Sequence, residues 1–260
     1  MDLRLKGKII PVTGGAKGIG LGIVRTLAEE GAVPVIIGRN ESDNKSALDG
    51  ILPLSPESSQ IAAELSDPED CRKAVEAVIG RYGRVDGLVN NAGVNDGVGL
   101  EQGTYETFMA SLHKNLVHYY LIAKYCLPFL KQSQGAIVNV SSKTAETGQG
   151  GTSGYAASNG GRNALTREWA VELLPFGIRV NAVIVAECYT PLYEKWVNSF
   201  PQPEKKLEEI TKRIPLGHRM TTESEIASTV AFLLSEKSSH TTGQLIHVDG
   251  GYVHLDRAIT

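Results

Sequence analysis

The sequence predicts an α/β fold: one doubly wound domain, a parallel seven-stranded sheet covered by helices on both faces. Three observations carry that expectation. Short apolar runs alternate with longer helical patterns along the chain. A glycine-rich turn joins the first apolar run to the first helical one. No internal repeat, low-complexity tract or linker divides the 260 residues.

Ile9 to Thr13 reads as the first strand and Gly18 to Glu30 as a helix. Val33 to Gly38, rich in β-branched residues, is the second strand, and Ser59 to Leu65 a weaker third. Asp67 and Pro68 form a helix start, the acid as cap and the proline in the first turn, and that helix runs to about Tyr82. Val85 to Val89 is the fourth strand, followed by a long helix over about Thr104 to Lys131. Ala136 to Val140 is the fifth strand, followed by a second long helix over about Ser153 to Leu174. Ile178 to Val185 is almost continuously apolar, as a strand buried on both faces must be. Helices near 191–213 and 222–235 precede a last strand, Leu245 to Val248. Strands spaced by such helices imply right-handed crossovers.

The net charge of −3 and the pI near 6.1 give no reason to expect nucleic acid or an anionic membrane as a partner. Cys71, Cys126 and Cys188 have no metal or redox spacing and suit a reducing compartment. Met1 to Lys8 lacks the apolar segment of a signal peptide, and no apolar run approaches the ~18 residues of a membrane span. A soluble cytoplasmic protein is the expectation.

Thr13-Gly14-Gly15-Ala16-Lys17-Gly18-Ile19-Gly20 lies between a strand and a helix. Glycines there let backbone N–H groups and the helix N-terminus approach a pyrophosphate. The second strand ends Gly38-Arg39-Asn40, without the carboxylate that would bind a ribose 2′-hydroxyl. Arg39 can meet a 2′-phosphate instead, with Lys17 adding a second charge. NADP is therefore the expected cofactor, with NAD possible. Asn90-Asn91-Ala92-Gly93 follows the fourth strand at the carboxyl edge of the sheet, where ligands bind. Asn115, inside a helix that asparagine mildly disfavours, invites a purpose. Ser142 precedes Tyr155 by thirteen positions, so the two can share one substrate oxygen across a strand-to-helix loop. Asn159 lies one helical turn after Tyr155, on the same face.

In this order and spacing the chain resembles the short-chain dehydrogenase/reductase family over essentially its whole length, with a Rossmann-type domain and a substrate lid near 190–213. The resemblance implies roles. Tyr155 would be the general acid/base and Ser142 would hold the reacting oxygen. Asn115 would help carry a water-linked proton relay. Asn91, Ala92 and Gly93 would line the adenosine side, Glu64 and Leu65 the adenine ring. Thr190 would lie near the nicotinamide, and Val185-Ala186 replaces the family's Pro-Gly. Stretches such as Ser142 to Ala145, Gly148 to Gly150 and Thr166 to Ala170 look like those of bacterial L-fucose dehydrogenases, which oxidise the anomeric hydroxyl of an aldose to a lactone. Asn95, Lys143, Glu146, Gln149 and Glu187 can all hydrogen-bond sugar hydroxyls, and such a site discriminates against ligands lacking them. Trp196 and Tyr193 fall in the lid. In similar tetramers the C-terminus reaches a neighbour, so His254, Asp256 and Arg257 would close its site, and a dimer or tetramer is expected.

Position 159 departs from the family, which carries lysine there. That lysine lowers the tyrosine pKa and holds the ribose hydroxyls. Bringing a free phenol from ~10 to near 7 takes about 4 kcal/mol. Asn159 can bond a ribose hydroxyl but brings no charge. Lys143 matches the relatives' own lysine and is not cast as a substitute. Slow turnover with an alkaline-shifted optimum is the expectation, the loss bounded by the roughly 10²–10⁴-fold worth of general acid–base catalysis. An engineered trap, a natural variant with compensation and a member that has lost catalysis all fit the sequence. Two other readings stand beside sugar oxidation: a carbonyl or 3-oxoacyl reductase of the same family, and a catalytically weak NADP-binding protein.

Overall fold

Seven strands form one sheet: β1 (Ile9–Thr13), β2 (Val33–Gly38), β3 (Ser59–Ala62), β4 (Gly87–Asn90), β5 (Ala136–Ser142), β6 (Arg179–Val185) and β7 (Leu245–Val248). In the computed structural model, which describes residues 1–255, all pair in parallel in the order β3-β2-β1-β4-β5-β6-β7. The order reverses between β1 and β4, which opens a crevice at their carboxyl ends.

Alternate residues of each strand face opposite cores. Ile10, Val12, Ile36, Val138 and Val183 pack under α1 (Gly18–Glu29), α2 (Glu41–Ile51) and α9 (Glu223–Leu234). Ile9, Val35, Ile37, Ile137 and Val180 pack under α3 (Pro68–Tyr82), α5 (His118–Ser133) and α6 (Ser153–Glu172). The expected doubly wound sheet, covered on both faces, is what the chain forms.

Several boundaries differ from expectation for identifiable reasons. The helix α2 was not legible, being short and polar; Asn40 caps it, its Oδ1 accepting from Asp43 N at 2.9 Å. β3 stops at Ala62 because Asp70 Oδ2 takes the Glu64 N–H at 3.1 Å and turns the chain. β5 runs on to Ser142, which pairs in register with Val185. The single helix expected over Thr104 to Lys131 is three pieces: α4 (Tyr105–Leu112), a π-helical turn (His113–Val117) and α5. The insertion holds two short helices, α7 (Pro191–Val197) and α8 (Pro203–Thr211). No helix among the described residues is long and apolar enough to cross a membrane.

Candidate active site

The glycine-rich turn is locked to the end of β4. Thr13 Oγ1 accepts from Asn91 N at 2.9 Å and Ala92 N at 3.2 Å, and Asn91 Nδ2 donates to Thr13 O at 3.0 Å. Gly14 has φ +65°, and a Cβ there would sit 2.9 Å from Ala92 Cα. A Cβ on Gly20 would collide with Gly14 O. The first turn of α1 carries no acidic residue of its own, which favours an anion at Gly18, Ile19 and Gly20; the nearby carboxylate is Glu223 of α9, whose Oε1 lies 3.7 Å from where a Gly18 Cβ would be. These residues fit a dinucleotide pyrophosphate. Thr190, the cap of α7, packs its methyl group 3.1 Å from where a Gly18 Cβ would be, so the lid begins against the turn.

Beside this turn, Arg39 is exposed just past β2. Lys17 is not free to act with it: its Nζ lies 2.7 Å from Asp43 Oδ2. A side chain at Gly38 would meet Asn44 Oδ1, and the buried Asn44 donates to Gly38 O at 2.7 Å and Ile61 O at 3.2 Å. Burial works to raise the Glu64 carboxyl, but hydrogen bonds from Ser66 and the charges of Arg39 and Lys114 outweigh it and hold it low. Leu65 is buried behind it.

Ser142 closes β5, and Tyr155 stands, partly exposed, in the first turn of α6. Ser142 Oγ accepts from Thr144 N at 3.3 Å, which leaves its own hydroxyl hydrogen for a ligand. Ser141, its neighbour, ties the strand to α6 by donating to Asn159 O at 3.3 Å. Asn159 is fully buried and donates through Nδ2 to Tyr155 O at 2.8 Å. Asn115 lies in the π turn, a segment common at functional sites. Its Oδ1 accepts from Val94 N at 2.7 Å and its Nδ2 donates to Ser111 O at 3.0 Å. One residue here escaped the sequence reading. Arg162, buried, donates through Nε to Asn115 O at 2.7 Å and through Nη1 to Asn159 Oδ1 at 3.0 Å and Val140 O at 3.2 Å. The available signal was its place on the Tyr155–Asn159 face of the helix, seven residues after the tyrosine.

The polar residues beyond Ser142 form two groups. Lys143 and Glu187 are ion-paired, and Lys143 Nζ lies 4.0 Å over the Tyr252 ring. Burial, then Glu187, push the Tyr193 phenol upward. Glu146 bonds His247 Nε2 at 3.0 Å, and the His247 ring meets that of His254 at 4.3 Å. Asn95 and Gln149 are exposed, and no described contact joins either to these groups. Trp196 stacks edge-on with Tyr193 at 5.2 Å and Phe200 at 5.1 Å. Asp256 and Arg257 lie outside the described residues. Burial pushes the Cys71, Cys126 and Cys188 thiols up to about 12, so none is a nucleophile at neutral pH.

A hydroxyl, a phenol and buried amides at the mouth of a dinucleotide-binding crevice can move a proton to or from an oxygen beside a hydride carrier. Comparison with known proteins agrees. A family model described as enoyl-(acyl carrier protein) reductase matches residues 14–253. The chain is 38% identical over 256 residues to the 3-oxoacyl-[acyl-carrier-protein] reductase of Thermotoga maritima, covering 96% of this chain and 100% of that one. It is 36% identical over 252 residues to the L-fucose dehydrogenase of Bos taurus, covering 96% and 91%. The crystal structure of Cj0485 dehydrogenase superposes with a TM-score of 0.94 at 47% identity, covering 99% of this chain and 98% of that one. The chain belongs to the short-chain dehydrogenase/reductase family and is an oxidoreductase acting between an alcohol and a carbonyl with NAD(P).

Proposed function

We propose that this short-chain dehydrogenase/reductase oxidises the anomeric hydroxyl of an aldose such as L-fucose to its lactone. The observation that carries the reading is the polar wall beyond Ser142. The Lys143–Glu187 pair, with Tyr193 against the carboxylate, follows directly on the strand end and offers donors and acceptors at fixed positions. Such a wall suits a polyhydroxylated ring better than an acyl chain. Glu146 and Trp196 extend it to hydroxyls and to an apolar sugar face.

In the reaction, Ser142 donates its hydroxyl hydrogen to the anomeric oxygen and Tyr155 takes the proton from it. A nicotinamide held in the crevice would supply the two-electron acceptor for the hydride leaving the anomeric carbon. Loss of H⁻ and H⁺ converts the cyclic hemiacetal to a lactone. Gly14, Gly18, Ile19, Gly20, Asn91, Ala92, Gly93, Glu64, Leu65 and Thr190 hold the dinucleotide. Arg39 selects NADP through the 2′-phosphate, with Lys17 secondary because Asp43 already engages it. NAD remains a usable partner.

A second reading has its own support. The match to the Thermotoga maritima enzyme favours reduction of a 3-oxoacyl thioester. A panel of aldoses with NAD⁺ and NADP⁺, run beside acetoacetyl thioesters with the reduced cofactors, separates the two by cofactor absorbance. Turnover of thioesters alone would overturn the sugar reading. The chain assembles as a dimer or tetramer through its long helices, where Tyr120 and Val171 are exposed, with Leu174 and Phe176 exposed just past the end of α6. Light scattering that finds only monomer would sink that. We place it in the cytoplasm, in keeping with three free cysteines, and fractionation of its source cells would check this.

A further inference from the structure

We propose that Arg162 supplies the positive charge that position 159 lacks, acting through Asn159 as a positioning residue for proton transfer at Tyr155. The inference rests on the alcohol–carbonyl chemistry of the family and not on the choice of a sugar.

Arg162 is 3% exposed, and a guanidinium cannot shed its proton to escape burial. Its hydrogen-bond partners among the described residues are Asn115 O, Val140 O and Asn159 Oδ1. The Tyr119 ring lies 4.2 Å away beneath it. No carboxylate among the described residues pairs with it, so its charge stays in the site uncancelled. A buried charge without a counter-ion is costly and needs a reason. Its Nη2 is buried and without a partner, a donor still available at the Asn115 end. Gly93 makes room for it: a Cβ there would lie 2.8 Å from Nη2.

The guanidinium also dictates which way the amide points. Arg162 offers only donors, so Asn159 must turn its oxygen to Nη1. The amide nitrogen is thereby directed at the Tyr155 turn. The amide nitrogen is thus spent on the Tyr155 carbonyl, and it is the guanidinium, one turn on, that brings a positive charge to this part of the helix. The other titratable groups facing Arg162 do not substitute for it. On α5, His118 is pushed down to about 3 by burial and then by Arg162, and burial holds the Tyr119 phenol protonated. Tyr155, on α6, is the group acted on. Arg162 is therefore the permanent charge of this cluster.

The test compares Arg162→Met, Arg162→Lys, Asn159→Lys and the double variant Asn159→Lys/Arg162→Met. The assay uses whichever alcohol or ketone the unmodified chain turns over, with thermal melting as the folding control. Arg162→Met should lower kcat by roughly 100-fold and move the pH profile alkaline, within the range of acid–base effects. Arg162→Lys should keep kcat within about tenfold, since it keeps the charge. Asn159→Lys alone should gain nothing, because it sets two cations together. The double variant should exceed Arg162→Met at least about tenfold, since an ammonium at 159 then stands alone. A readout without substrate is the tyrosinate absorbance that Tyr155→Phe removes; it should develop at lower pH in the unmodified chain than in Arg162→Met. That measurement stands even if the sugar reading fails. A folded Arg162→Met with unchanged kcat and pH profile overturns the proposal, as does faster turnover of Asn159→Lys with Arg162 in place. If Arg162→Met does not fold, the double variant and Arg162→Lys decide, and loss of both activities overturns it.

Discussion

Lys143 and Glu187 form an ion pair whose side chains are only 10% and 12% exposed, joining the end of β5 to the segment after β6. Removing one partner leaves the other charge stranded. Lys143→Met should therefore destabilise the chain by about 3 kcal/mol, the lower end for a buried pair. Lys143→Met/Glu187→Leu should lose less, because no charge is left unpaired. Urea unfolding of the two variants checks this, and equal losses would mean that the pair is solvated. On the sugar reading both variants also raise KM for the aldose more than for the cofactor.

The turn at Gly14 to Gly20 makes a sharper prediction. A Cβ on Gly20 has no room against Gly14 O, which Asn91 Nδ2 holds in place at 3.2 Å. Gly20→Ala should cost about 1–3 kcal/mol of stability through overpacking. It should also abolish the fluorescence change of NADPH on binding. A variant that melts like the unmodified chain and still binds NADPH would show that the turn can relax.

Much of this arrangement was legible in the sequence, and the reason is periodicity. Strands such as Val33 to Gly38 alternate between two cores, and the Gly-rich turn has one physical use at a strand-to-helix junction. What escaped depends on contacts that no local pattern encodes. Asn44 sits in a polar helix, yet it bridges the ends of β2 and β3. The π turn around Asn115 breaks into three pieces what reads as one helix from Thr104 to Lys131. Arg162 reads as a solvated helix residue until Gly93, Asn115 and Val140 close over it.

His118 gives a pH dependence with a definite sign. Burial first, and Arg162 second, push its imidazole from an ordinary value of 6.5 down to about 3. In the fold it is neutral, donating from Nε2 to Lys114 O at 3.0 Å. Below pH 6.5 the unfolded chain binds a proton that the folded chain refuses until about pH 3. Stability is thus complete above pH 6.5 and falls on acidification, by up to about 1.4 kcal/mol per pH unit from this group. His118→Gln, which keeps a donor, should flatten that slope. Urea midpoints at pH 7 and pH 5 measure it; parallel losses in both proteins would remove His118 from the account.

On the proposed reading, cofactor choice turns on how differently Lys17 and Arg39 are held. Lys17 is engaged by Asp43 at 2.7 Å, whereas Arg39 is exposed beyond β2, its charge felt by the Glu64 carboxyl. A charged hydrogen bond contributes about 1.5–3 kcal/mol, or roughly 10- to 100-fold in affinity. Arg39→Ala should therefore raise KM for NADP⁺ by that factor while leaving KM for NAD⁺ nearly unchanged. Lys17→Ala should do so by less than about fivefold, since Asp43 already offsets its charge. Arg39→Asp should go further and invert the preference, because a carboxylate repels the phosphate and accepts the ribose hydroxyl. If both alanine variants weaken NADP⁺ equally, the Lys17–Asp43 pair opens when cofactor binds. If neither does, the 2′-phosphate is not read at this edge of the sheet, and NAD becomes the expected cofactor.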